Sequence, residues 1–117
     1  MRSQNPKPTE RRGDARRLCS ELVAVSWRDQ TGRELVEHAI LEDMSRHGVS
    51  FNSTYPISCG RPVQLSATGF LAEGHVVHCE PCEYGYIVGL RFSDGLEWDP
   101  ERWTPAHMLT LPAPNEN

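Results

Sequence analysis

Apolar and polar residues alternate over most of this chain, and a period of two is the pattern of β-strands with one buried face. Turn segments that contain glycine, proline or other turn-forming residues separate the alternating stretches. Strands are predicted around Val23 to Trp27, Leu35 to Leu41, Val49 to Phe51, Val63 to Ala67, His75 to His78 and Tyr84 to Phe92, with a turn at residues 80–83 before the last of them. Six strands at such short spacing favour an antiparallel barrel or sandwich, and therefore an all-β fold.

The alternation stops after residue 95, where the chain changes character. Asp99 followed by Pro100 has the form of a helix N-cap and first helical residue. Pro105 then interrupts this helix or begins a second turn. The sequence therefore predicts a short C-terminal helical segment over residues 96–110, which two tryptophans would lay across one end of the barrel.

The two ends of the chain show no periodicity and are rich in polar residues and proline. They are predicted to be flexible tails, at residues 1–10 and 111–117, around one domain at residues 11–95 and the helical segment. The beginning of the chain lacks the apolar stretch of a signal peptide, and no apolar run approaches the roughly 20 residues of a membrane span. We therefore expect a cytoplasmic protein without membrane insertion.

The formal net charge of −4 argues against a partner that is a nucleic-acid polymer, because such a partner requires an excess of basic residues. Positive charge is nevertheless concentrated in residues 11–17, the arginine segment, which contains four arginines. One basic cluster in an acidic chain favours a small anionic ligand. The plain alternative is a solvated basic linker before the first strand.

The arginine segment suits a ligand with both anionic and aromatic parts. A guanidinium group is planar and always charged, so it can bind a phosphate or the Hoogsteen edge of guanine with two hydrogen bonds, and can stack on a base. Arg12 and Arg16 are four residues apart, and Arg11 and Arg17 flank them. Side chains at these positions could converge on one ligand.

A second motif, Asp43-Met44-Ser45-Arg46-His47-Gly48, joins two of the predicted strands. A carboxylate accepts hydrogen bonds from the N1–H and N2–H₂ groups of guanine, and a serine hydroxyl can donate to a phosphate oxygen. Gly48 suits either a positive φ or a close approach of the backbone. The alternative is an ordinary turn that joins two strands.

Together, the two motifs resemble those of the PilZ domain family. Arg12-Gly13-Asp14-Ala15-Arg16 has the form RxxxR, and the segment from Asp43 to Gly48 has the form (D/N)xSxxG. The resemblance extends over roughly residues 10–95. It implies a six-stranded antiparallel β-barrel of the split-barrel type that binds the bacterial second messenger cyclic di-GMP.

The resemblance also implies a set of binding residues. Arg12 and Arg16 would clasp the phosphates and guanines, Asp43 would pair with a guanine edge, and Gly48 would hold the turn. The full set of expected ligand-binding residues is Arg11, Arg12, Arg16, Arg17, Asp43, Ser45, Gly48 and, from a looser alignment, His78.

The implied function is that of a receptor. Binding would order the arginine segment, change the conformation, and signal to an unidentified effector protein in processes such as motility or biofilm formation. The chain could act as a monomer or a homodimer. An alternative is a PilZ-like adaptor that binds no nucleotide and acts by protein contact in pilus assembly or motility, but complete motifs favour the receptor.

A cluster of two histidines and two cysteines between His75 and Cys82 suggests a third possibility, a small zinc-binding module. On a regular strand, however, His75 and Cys79 would face one side and His78 the other, so the ligands would not converge. The Cys79-x-x-Cys82 spacing also lacks the strand-to-helix context of a redox site. We predict no metal and no cofactor, and since no catalytic arrangement emerges, no enzyme.

Overall fold

A computed structural model describes residues 15–109, which form a closed barrel of six strands. The strands are β1 (Arg17–Arg28), β2 (Glu34–Ser45), β3 (Gly48–Ser53), β4 (Pro62–Ala67), β5 (Phe70–Cys82) and β6 (Gly85–Phe92). They follow one another around the barrel in the order β1-β2-β3-β6-β5-β4, and every neighbouring pair is antiparallel. The predicted all-β fold and six-stranded antiparallel barrel are thus confirmed.

Inward-facing residues of the strands form a single apolar core. Five side chains that come from five different strands are completely buried, at 0% exposure: Val25, Leu41, Phe51, Leu65 and Val88. Burial of each such side chain contributes about 1.5–3 kcal/mol to folding. The alternation that predicted the strands therefore reflects a core to which nearly all of the barrel contributes.

The barrel closes through a short seam between β1 and β4. Only three residue pairs join these strands, at residues 24–26 of β1 and 64–66 of β4. Pro62 at the start of β4 has no N–H with which to extend the ladder. At its other end, β1 is covered by residues 93–109, the C-terminal segment, because Ser20 N–H donates to the carbonyl of Ala106 and Leu109 N–H donates to that of Leu18.

β5 is much longer than predicted, because 13 residues belong to it. The prediction placed a strand only at residues 75–78 and a turn at residues 80–83, whereas the strand continues to Cys82. Its first half was obscured because the inward positions carry the small residues Ala72 and Gly74. Gly74 is small for a reason, since a Cβ added there would overlap the carbonyl oxygen of Arg91.

A β-bulge lies in the middle of β5. Val76 pairs with Leu90 and His78 pairs with Gly89, so that Val77 has no partner on β6. Val76 is buried, whereas Val77 is 48% exposed. An extra residue of this kind reverses the inward and outward alternation of everything that follows it.

The bulge overturns one prediction about side-chain direction. His75 is exposed on the outer face, as Val77 is, and His78 lies on the same face after the bulge. Cys79, which was expected to share a face with His75, instead packs against the core. On a regular strand, His75 and Cys79 would have faced one side of the sheet and His78 the other.

The described residues contain no helix, so the helical segment predicted over residues 96–110 is not found in its described part, residues 96–109. Asp99 caps a single turn, since its Oδ1 accepts a hydrogen bond from Glu101 N at 2.9 Å and its carbonyl accepts one from Arg102 N at 2.9 Å. Pro105 lacks the N–H needed to continue. The predicted tails at residues 1–10 and 111–117 lie outside the described residues.

Tryptophan contacts hold the C-terminal segment on the barrel surface. The Trp103 ring stacks on Phe70 with 4.4 Å between centroids, and its Nε1 donates to the carbonyl of Thr68 at 2.9 Å. The indole of Trp98 donates to the Trp103 carbonyl at 2.8 Å. In the part of the chain that the structure describes, no helix is long and apolar enough to span a membrane.

Candidate ligand-binding site

The Asp-Ser-Gly motif forms a tight hairpin. Asp43 and Ser45 belong to β2, Gly48 begins β3, and only two residues form the turn between the strands. Ser45 and Gly48 are register partners, and Ser45 Oγ donates to the Gly48 carbonyl at 3.2 Å. The prediction treated the whole motif as a turn, but most of it is strand, which fixes its side chains against the sheet.

Gly48 was predicted to be needed either for a positive φ or for a close approach of the backbone, and the structure distinguishes between the two. Its φ does not fall in the positive region, unlike that of several other glycines in the described chain. A Cβ added to Gly48 would instead overlap the carbonyl oxygen of Leu90 on β6. Glycine is therefore required here because β3 approaches β6 closely.

Asp43 is the point at which the two motifs meet. Its Oδ1 accepts a hydrogen bond from Arg16 Nη1 at 2.9 Å, and its Oδ2 accepts one from Ser50 Oγ at 2.7 Å. The Asp43 side chain is 16% exposed and that of Arg16 is 60% exposed. The carboxylate is thus held in a fixed orientation at the surface, where its remaining lone pairs can accept further donors.

The other predicted arginines are less fully described. Arg17 is the first residue of β1, and its register partner is Met44. Its side chain is exposed and makes no hydrogen bond or ion pair with another residue of the range 15–109. Arg11 and Arg12 lie outside the described residues.

A row of residues crosses four strands on the outer face of the barrel: Asp43, Ser50, Gly89 and His78. Each is the register partner of the next, from β2 through β3 and β6 to β5. A Cβ added to Gly89 would lie 2.5 Å from Cε1 of the His78 ring. The imidazole therefore lies over a sheet position without a side chain, and the bulge in β5 is what directs it there.

A shallow cavity of about 140 Å³ opens beside this row. It is lined by Arg16, Ser45, His47, Gly48, Val49, Val77, His78, Gly89, Leu90 and Arg91. Four of the predicted binding residues therefore line the cavity, namely Arg16, Ser45, Gly48 and His78. Asp43 is hydrogen-bonded to Arg16. No carboxylate is among these lining residues, although the chain as a whole has a net charge of −4. The cavity is suited to an anion.

Two larger grooves lie elsewhere, around the β1–β2 turn and residues 55–64, with volumes of about 430 and 440 Å³. The first contains Glu34 and Glu73 and the second contains Asp29. Neither contains a residue of the arginine segment or of the Asp-Ser-Gly motif. Chemistry rather than volume therefore identifies the smaller cavity as the candidate site.

The turn of the motif is anchored to the C-terminal segment. Arg46 Nε and His47 Nε2 each lie 3.3 Å from a carboxylate oxygen of Glu97. The hydrogen bond from Arg46, and then that from His47, lowers the pKa of Glu97. Trp98 N–H also donates to the Arg46 carbonyl at 2.9 Å. Movement of this turn would consequently be transmitted to residues 97 and 98.

Cysteine and histidine side chains do not assemble into a further site. Among residues 15–109, no group of three or more His, Cys, Asp or Glu side chains could hold a metal ion. The Cys19 thiol donates to the Leu41 carbonyl at 3.7 Å, and burial, followed by the charge of Asp43, raises its pKa to about 11. This thiol is therefore protonated near neutral pH and is a poor nucleophile.

Sequence reasoning missed three residues of the site: Ser50, Gly89 and Arg91. The alternation in the chain could have placed them on the outer face of β3 and β6. It could not have supplied the strand register, which places Ser50 beside Asp43, Gly89 beneath His78 and Arg91 beside Gly48.

Comparison with known families agrees with this geometry. The sequence profile of the PilZ domain matches residues 10–102, which include both motifs and all six strands. No curated protein matches the chain.

Proposed function

Because the chain belongs to the PilZ domain family, a family of cyclic di-GMP receptors, we propose that it binds cyclic di-GMP at the cavity beside Asp43. The observation that carries this proposal is the contact between the two motifs. Arg16 and Asp43 are 27 positions apart in the sequence, yet their side chains lie 2.9 Å apart at the rim of an anion-compatible cavity.

Each residue of the site has a defined task in this proposal. Asp43 accepts hydrogen bonds from N1–H and N2–H₂ of one guanine, and Ser50 holds the carboxylate in position. Arg16 exchanges its bond with Asp43 for a phosphate or a guanine edge of the ligand. The His78 ring, supported on Gly89, offers a flat surface on which a base can stack.

Ser45 and Gly48 have mainly a positioning role. The Ser45 hydroxyl closes the hairpin and can redirect its proton to a phosphate oxygen near the turn. Gly48 allows β3 to approach β6, which brings the hairpin next to Gly89. No group in this arrangement is proposed to catalyse a reaction.

The cavity is too small to enclose a dinucleotide, because ligand sites usually occupy about 300–1,000 Å³. We propose that the arginine segment supplies the missing wall by closing over the bound nucleotide, with Arg12 on the ligand and Arg11 and Arg17 assisting. Only contacts that form in the bound state can favour this closed arrangement.

The C-terminal segment gives the closure a route to an effector protein. It is hydrogen-bonded to Leu18 and Ser20 at the start of β1 and to Arg46 at the hairpin turn. Both halves of the site are therefore connected to the same surface element. A cytoplasmic effector that contacts this element would distinguish the bound from the free receptor.

The direct test is a calorimetric titration of the chain with cyclic di-GMP, GTP and cyclic GMP, with stoichiometry measured for each. Saturable binding of cyclic di-GMP is expected, with at least about tenfold weaker binding of the other two, since each lacks the second guanine. No binding of cyclic di-GMP, or equal affinity for GTP, would contradict the proposal. An absence of cyclic di-GMP binding would instead favour the alternative function, an adaptor that acts by protein contact alone.

Gly89→Ala should weaken binding of cyclic di-GMP by about tenfold while leaving the barrel folded, because the added methyl group displaces the His78 ring rather than any backbone atom. Affinity is measured by calorimetry and the fold by thermal unfolding. Gly89→Ala combined with His78→Ala should bind no more weakly than His78→Ala alone. Full affinity of Gly89→Ala for cyclic di-GMP would show that His78 does not contribute to the binding site.

A further inference from the structure

The cationic residues of the cavity lie on opposite walls. Arg16 approaches from the beginning of β1, whereas Arg91 belongs to β6. The Arg16 guanidinium lies against Asp43 on β2, and β3 separates β2 from β6 in the barrel order. At a spacing of about 4.8 Å between neighbouring strands, the two arginines therefore contact the sheet at positions about 10 Å apart.

The register fixes Arg91 at the edge of the hairpin. Its partner on β3 is Gly48, and its partner on β5 is His75. Because Gly48 has no side chain, nothing at that position separates the Arg91 side chain from the Ser45 end of the cavity. Arg91 therefore has a direct approach to an anion bound beside the turn.

The Arg91 side chain is exposed and makes no hydrogen bond or ion pair with any other described residue. Arg16, by contrast, is already paired with Asp43. Exposed arginines such as Arg33 and Arg102 also make no side-chain hydrogen bond or ion pair within residues 15–109, but they line none of the three cavities. Of these three arginines, Arg91 is the one that lines a cavity, and the residues that line this cavity include no carboxylate.

We propose that Arg91 binds the second phosphate of the ligand, across the cavity from Arg16, and thereby makes the site selective for a nucleotide with two phosphates. This assignment rests on the proposed function. One phosphate would be held by Arg16 and the other by Arg91, so a nucleotide with a single phosphate could engage only one of the two arginines at a time.

The test compares Arg91→Gln and Arg91→Lys with the unaltered chain in calorimetric titrations of cyclic di-GMP, together with NMR titrations of GMP. Arg91→Gln should bind cyclic di-GMP at least about tenfold more weakly, as expected for loss of a charge-assisted hydrogen bond. Arg91→Lys should stay within about threefold of the unaltered chain, because a lysine also binds phosphate as a point charge. GMP should lose less affinity than cyclic di-GMP in Arg91→Gln, because its single phosphate can bind at Arg16 instead.

Salt dependence provides a second readout that a merely structural role would not change. Affinity for cyclic di-GMP should fall less steeply with added salt in Arg91→Gln than in the unaltered chain, because one charge contact is missing. Arg102→Gln, which removes an exposed arginine outside the cavity, is the matched control and should behave as the unaltered chain. Thermal unfolding checks that each variant is folded.

The outcomes separate the two proposals. If the unaltered chain binds cyclic di-GMP and Arg91→Gln binds it equally well, the assignment of Arg91 is wrong and the proposed function stands. If Arg91→Lys is as weak as Arg91→Gln, Arg91 reads a guanine edge and not a phosphate, which also overturns the assignment. If the unaltered chain does not bind cyclic di-GMP, the proposed function fails and the assignment fails with it.

Discussion

Arg16→Ala and Asp43→Ala should each reduce the affinity for cyclic di-GMP by about 100-fold or more. Arg16 is expected to make two charge-assisted hydrogen bonds to the ligand, each of which contributes about 1.5–3 kcal/mol. Alanine at position 43 would leave the N1–H and N2–H₂ donors of guanine without their carboxylate acceptor. Calorimetry measures both losses, and a double variant tests whether they are coupled.

Neither substitution should unfold the barrel. The Arg16–Asp43 pair is partly exposed, with the arginine 60% accessible, and such pairs contribute only about 0–1 kcal/mol to stability. Arg33→Ala removes an exposed arginine in the β1–β2 turn and serves as the control that retains full affinity. Unchanged affinity in both Arg16→Ala and Asp43→Ala would refute the assignment of the site.

Gly48→Ala should destabilise the protein by about 1–3 kcal/mol, the usual cost of forcing an extra group into a packed position. The added Cβ would overlap a backbone carbonyl on β6, which cannot turn aside as a side chain can. Relief of this overlap requires β3 and β6 to separate beside the hairpin. For a domain of this size the melting temperature should fall by roughly 5–20 °C, which calorimetric or spectroscopic unfolding would detect.

The comparison with Gly89→Ala makes this second prediction specific. Both glycines lie on the outer face of the same pair of strands, but the group crowded by Gly89→Ala is the rotatable His78 ring. Gly89→Ala should therefore change the melting temperature by less than half as much as Gly48→Ala. Similar losses for the two variants would show that close approach of the backbone is not the reason for glycine at position 48.

The alternation of residues was sufficient to predict the number and approximate position of the strands, because most inward positions carry large apolar side chains. It failed where the core is filled by small residues, as at Ala72 and Gly74 in β5. It also failed after residue 95, where the Asp99-Pro100 signature of a helix start produced one capped turn. There the contacts of Trp103 with Thr68 and Phe70 of the barrel, which are long-range, outweighed a local preference.

The candidate site was predictable in its chemistry but not in its geometry. The residue types and spacing of the two motifs pointed to a nucleotide, and the structure brings Arg16, Ser45, Gly48 and His78 to one cavity. The roles of Ser50, Gly89 and Arg91 depend on which residues of neighbouring strands are paired. Pairing of this kind is decided by bulges and turns whose effect spreads across the whole sheet, so local sequence does not reveal it.

The bulge in β5 has an evolutionary consequence. Since Val77 is the one residue of this stretch without a partner on β6, loss of its single codon would restore an unbroken strand. The barrel would keep its pairing with β6 on both sides of the deletion, and His78 would still face outward opposite Gly89, but the cavity would lose the exposed Val77 side chain that lines it. An in-frame insertion or deletion at this point can thus change the lining of a binding cavity while the fold persists, without any change in the two motifs by which such a chain is recognised.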